Sequence, residues 1–157
     1  MKNRLTLIIL ILVLSFGSLA IAGTAHQSQD HKSGSQPGTM KSGVAGDTFT
    51  HQAVVEGVRA EFQVMSLASM NMKDPEGNTH HVMVKFFDES SQNQIKNAVG
   101  KITLIGPSGK ERVETLKNYN GIFAANLTFA EKGQYGVICL FEMDGKKRLV
   151  KFWYPHG

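Results

Sequence analysis

From Thr48 onward, apolar and polar side chains alternate with period two, and turn residues interrupt the alternation at short, regular intervals. This feature leaves the chain few folds. Side chains of a strand point alternately to opposite faces, so alternation gives each strand one apolar face and one wet face. Val58, Ala60, Phe62 and Val64 share a face, and Arg59, Glu61, Gln63 and Met65 share the other. In Thr79–Asp88, Val82, Val84 and Phe86 lie on one side, with His81, Met83, Lys85 and Phe87 opposite. No segment keeps a helical period beyond two turns; only the stretch from Ser91 to Val99 leaves room for a short turn of helix.

The turn signals set the layout. Glu56-Gly57 and Asp144-Gly145 have the composition of tight hairpin turns. Asp74-Pro75-Glu76-Gly77-Asn78, Gly106-Pro107-Ser108-Gly109, Asn118-Tyr119-Asn120-Gly121 and Glu131-Lys132-Gly133 punctuate the rest. Turns about every 8–12 residues predict an all-β fold, an antiparallel immunoglobulin-like β-sandwich of about seven to eight strands. Gly133-Gln134-Tyr135 opens the penultimate strand in the manner of a tyrosine corner, in which a hydroxyl ties back to nearby backbone.

The N-terminus is of another kind. Met1-Lys2-Asn3-Arg4 is basic, an apolar run follows, and Ala20-Ile21-Ala22 is a small-residue cleavage pattern. These are the parts of a secretory signal peptide. The reading is a signal at 1–22 cut after Ala22, a Gly/Ser-rich flexible tether at 23–47, and a sandwich domain at 48–157. The chain is therefore expected to be exported, periplasmic or secreted, touching a membrane only if the signal stays uncut. One Cys excludes an internal disulfide framework and any site built on several thiolates. Cys139, between Val137 and Phe141 on one strand face, reads as a small buried hydrophobe. A net charge of +4 without a large basic patch argues against nucleic acid as a partner. No hydrolase, zincin or phosphate-loop pattern is present, so no enzyme activity is expected.

The strand Val82-Met83-Val84-Lys85-Phe86-Phe87-Asp88, the strand and turn from Ile102 to Gly109, the segment from Gly121-Ile122-Phe123 to Gly133-Gln134-Tyr135, and the Asp144-Gly145 hairpin together carry a resemblance. Over most of Gln52–Tyr154 the domain resembles the YtkA-like group of exported immunoglobulin-like domains. It is distantly similar to periplasmic copper carriers, whose His-x-Met pair His81 and Met83 match. That likeness implies metal handling through Met and His ligands, with a donor or acceptor metalloprotein of the cell envelope as partner.

The residues themselves point the same way. Four of the seven methionines, Met65, Met70, Met72 and Met83, fall close to His80 and His81. Thioether sulfur is a soft ligand suited to Cu(I), and imidazole suits copper in either state. Met70 and Met72 would share one side of an extended chain, as would His81 and Met83, and the two pairs would converge if the chain doubles back through Pro75-Glu76-Gly77. The expected copper site draws on Met70, Met72, His81 and Met83, with His80 or Met65 as substitutes. The competing expectation is a cell-envelope module that binds a protein or glycan without metal, in which these methionines are packing or docking surface.

Overall fold

The computed structural model describes residues 40–157. The signal expected at 1–22 and most of the tether expected at 23–47 lie outside them. Eleven strands follow in order: β1 (Lys41–Ala45), β2 (Thr48–Val55), β3 (Val58–Ser66), β4 (His80–Asp88), β5 (Gln94–Ile95), β6 (Val99–Ile105), β7 (Glu111–Thr115), β8 (Lys117–Tyr119), β9 (Ile122–Leu127), β10 (Gly133–Met143) and β11 (Lys146–His156). One sheet runs β1-β2-β3-β4-β9-β8, with β5 on the end of β4, and the other runs β11-β10-β6-β7. All pairings are antiparallel. The facing sets β3-β4-β9-β8 and β11-β10-β6-β7 have the strand order of an immunoglobulin-like sandwich. β2 and β1 extend the first sheet beyond that frame.

The core lies where the alternation placed it. Phe62, Phe86, Phe123 and Phe141 are fully buried. Phe86 of one sheet stacks on Phe141 of the other with centroids 4.3 Å apart. Cys139 is fully buried beside them, and burial pushes its thiol up to about 12. The tyrosine corner is present: the Tyr135 hydroxyl accepts the Glu131 N–H at 2.8 Å. The same corner demands glycine at position 133, where φ is +136° and an added Cβ would sit 2.8 Å from Pro107.

Two local expectations are corrected. No helical turn forms between Ser91 and Val99. The Asp88 carboxylate instead collects the N–H groups of Ser90 and Ser91 and both their hydroxyls at 2.6–3.1 Å, closing a tight turn. Gln92 then takes φ 60° and the chain returns as β5 against β4. Those hydrogen bonds, the Ser90 hydroxyl first, lower the Asp88 carboxyl to about 2. The second correction is β1, which lies within the stretch read as tether. All its side chains are exposed, so apolar burial does not hold it. Backbone pairing with β2 does, along with a 2.6 Å hydrogen bond between Ser42 Oγ and Nδ1 of the buried His51.

Two outcomes test this core. Tyr135→Phe removes an acceptor from a backbone N–H and should cost about 1 kcal/mol, read as a lower Tm at unchanged strand content. Cys139 should resist thiol reagents in the native protein at pH 8 and react only on unfolding.

Candidate metal site on the outer sheet face

β4 is paired along both edges, by β3 on one side and β9 on the other. Its alternation therefore commits successive residues to opposite faces. His80, Val82, Val84 and Phe86 are buried in the sandwich, and His81, Met83 and Lys85 stand half-buried on the outer face. Register builds two rows there. Met65 of β3 and Asn126 of β9 flank His81; Gln63 and Ala124 flank Met83. Ala124 reaches only one carbon above the sheet, which leaves space beside Met83. A cavity of about 620 Å³ opens over this part of the face, lined by Met72, Asp74, His81, Met83, Ala124 and Asn126 among others.

The loop between β3 and β4 supplies the wall. Leu67 is buried and anchors its start. The N–H groups of Met70 and Met72 both bond the Leu67 carbonyl, at 3.2 and 2.9 Å, with Asn71 at φ 55° between them. This compact turn replaces the extended chain expected there, so Met70 and Met72 do not share a side. Met72, 53% exposed, lines the cavity; Met70 is half-buried in the turn and does not. Asp74 then turns the chain back, accepting the Glu76 N–H at 2.8 Å.

A hydrogen-bonded chain ties this loop to the sheet. Asn126 Nδ2 donates to Asp74 Oδ2 at 2.5 Å, and Asn126 Oδ1 lies 2.6 Å from His81 Nδ1. The carboxylate only accepts, so it fixes which end of the amide faces it. The amide oxygen must then face His81, and His81 must carry its proton on Nδ1. Its Nε2 is left as a lone pair, the tautomer a metal ligand needs. The Asn126 hydrogen bond also holds the Asp74 carboxyl below its ordinary value of 3.8.

The expected ligands thus divide. His81, Met83 and Met72 line one cavity, and Met65 stands across from His81 on the neighbouring strand. His80 faces away, 6% exposed on the inner side of β4, against Phe129 and His156. Burial and then the neighbouring His156 lower its pKa to about 4. Among the described residues no three His, Cys, Asp or Glu side chains cluster, so any site here must use sulfur. Sequence reasoning missed Asp74 and Asn126. The first read only as a turn residue, and the meeting of the two shows only in the folded chain.

No family model, no curated protein and no solved structure matches this chain.

The relay yields a direct measurement. Histidine ¹⁵N–¹H correlation spectra should show His81 with its proton on Nδ1, and Asp74→Ala should release it toward the Nε2–H form. A carboxylate held below its ordinary value keeps the relay at neutral pH, and the relay is lost as pH falls through that lowered value.

Proposed function

We propose that this is an exported, non-catalytic sandwich domain that binds Cu(I) on the outer face of its larger sheet and passes it to or from a cell-envelope metalloprotein. The ligands are His81 Nε2, Met83 and Met72, with Met65 beside them as a further sulfur. The observation that carries this reading is the Asp74–Asn126–His81 chain, which fixes the ligating tautomer in a cavity that two methionines also line. Metal-bound histidines characteristically donate their other ring N–H to such a partner.

The donor set suits the task. Thioethers and a neutral imidazole bring no charge, so Cu(I) keeps its positive charge and the site favours it over harder ions. Met72 is exposed and sits on a loop, where a partner's sulfur can replace it in a ligand exchange that leaves the oxidation state unchanged. Among the described residues no helix is long and apolar enough to cross a membrane.

A second reading, an interaction module without metal, is favoured by the other sheet. Its outer face exposes Trp153 at 66%, Val113 at 52% and Leu149 at 43%. Anaerobic Cu(I) titration against a chromophoric chelator decides between the two. One equivalent should bind tightly. Met83→Leu, Met72→Leu and His81→Ala should each weaken binding, and Asn126→Leu should weaken it roughly 10–100-fold through the lost relay. Failure of the wild-type chain to compete would leave the interaction module.

A further inference from the structure

The outer face of the larger sheet carries another cavity, beside the methionines, that the copper reading does not use. β1 extends the sheet past β2, and register continues the side-chain rows across it. One row runs Lys41, Gln52, Glu61 and Lys85 over β1, β2, β3 and β4. The next runs Gly43, Thr50, Gln63 and Met83. A cavity of about 320 Å³ opens over these two rows, and all of these residues line it.

The floor is low at Gly43, which has no side chain. The backbone does not require that glycine. Its φ lies outside the left-handed region, and an added Cβ would meet only Thr50 Oγ1, at an ordinary 3.8 Å. A strand glycine of this kind often marks a place where a ligand approaches the backbone.

We infer that this cavity binds a small sugar acid, a ligand that carries several hydroxyls and one carboxylate. Charge complementarity gives the acid. The ion pairs of the described residues join Arg59 to Glu61 and Glu89, and Arg148 to Glu56. Glu61 is thus balanced by Arg59, and the ammonium groups of Lys41 and Lys85 have no carboxylate of their own. They stand at the two ends of one row, three strand spacings or about 14 Å apart. The space between them offers hydrogen bonds in both directions. The Gln52 and Gln63 amides each donate and accept, as a sugar hydroxyl does. Thr50 gives its hydroxyl hydrogen to the Gly43 carbonyl at 3.3 Å and keeps its lone pairs for a ligand. Glu61 bonds Arg59 through Oε1, which leaves Oε2 as an acceptor. Met83 supplies an apolar contact for ring C–H groups. The volume is at the small end of the range for ligand pockets, about 300–1,000 Å³, and suits a single ring better than a chain. The inference stands apart from the copper reading, because the two cavities share Met83 alone.

The test is titration of the full ¹⁵N-labelled chain with D-glucuronate, D-glucose and acetate, read by amide correlation spectra. Glucuronate should shift the Gly43 N–H and the Gln52 and Gln63 side-chain amides saturably. It should bind roughly tenfold tighter than glucose, which lacks the charge, and than acetate, which lacks the hydroxyls. Gly43→Val suits an edge strand, so Tm should hold, and the added side chain should abolish those shifts. Lys41→Gln combined with Lys85→Gln should bring glucuronate down to the affinity of glucose. His81→Ala should leave glucuronate binding intact while it weakens copper binding, so the two readings fail separately. Glucuronate that leaves Gly43, Gln52 and Gln63 unmoved would overturn the inference. So would equal binding of glucuronate and glucose, or binding that survives Gly43→Val.

Discussion

Every feature of the candidate site depends on the double pairing of β4. With β3 on one edge and β9 on the other, its register cannot slip, since a shift of one residue would move Val82, Val84 and Phe86 into water. That constraint separates two adjacent imidazoles. His80 goes inward to the aromatic end of the core and His81 goes outward to the methionines. A dipeptide that looks like one ligand pair in sequence is two unrelated environments in space, each with its own hydrogen-bond partner and its own neighbours.

The outer environment is shaped by what β9 places beside β4. Ala124 leaves room next to Met83, and Asn126 supplies the amide that orients His81. Asp74 holds that amide from the loop. In the proposed site the carboxylate acts at one remove: it sets the tautomer of His81 and would contribute no charge to a bound ion. A carboxylate in direct contact would favour harder cations, whereas one two hydrogen bonds away would leave the proposed site soft.

The strands of the sandwich were legible because burial dictates them. Alternation marked β3 and β4, and the Asp144-Gly145 hairpin and the Tyr135 corner stand where their chemistry requires. β1 was not legible, since backbone pairing at a sheet edge leaves no apolar signature in Lys41–Ala45. Of the site, His81 and Met83 could be read from their common strand face. Met70 and Met72 could not be placed, because a turn centred on the Leu67 carbonyl, and not strand periodicity, orients them. The relay was invisible for a different reason. Asn126 lies 45 residues from His81 and 52 from Asp74, and nothing local in the sequence encodes that register. The same holds for His156, whose meeting with His80 depends on how the two sheets face each other.

The central claim is that a soft ion sits on the outer face of the larger sheet, held by His81 and methionine sulfur. The most direct test is a crystal structure of the Cu(I)-loaded chain with anomalous data collected at the copper edge. The account predicts one strong peak within bonding distance of His81 Nε2 and the Met83 sulfur, with Met72 folded over it. Copper bound elsewhere, with His81 Nε2 facing solvent, would contradict it.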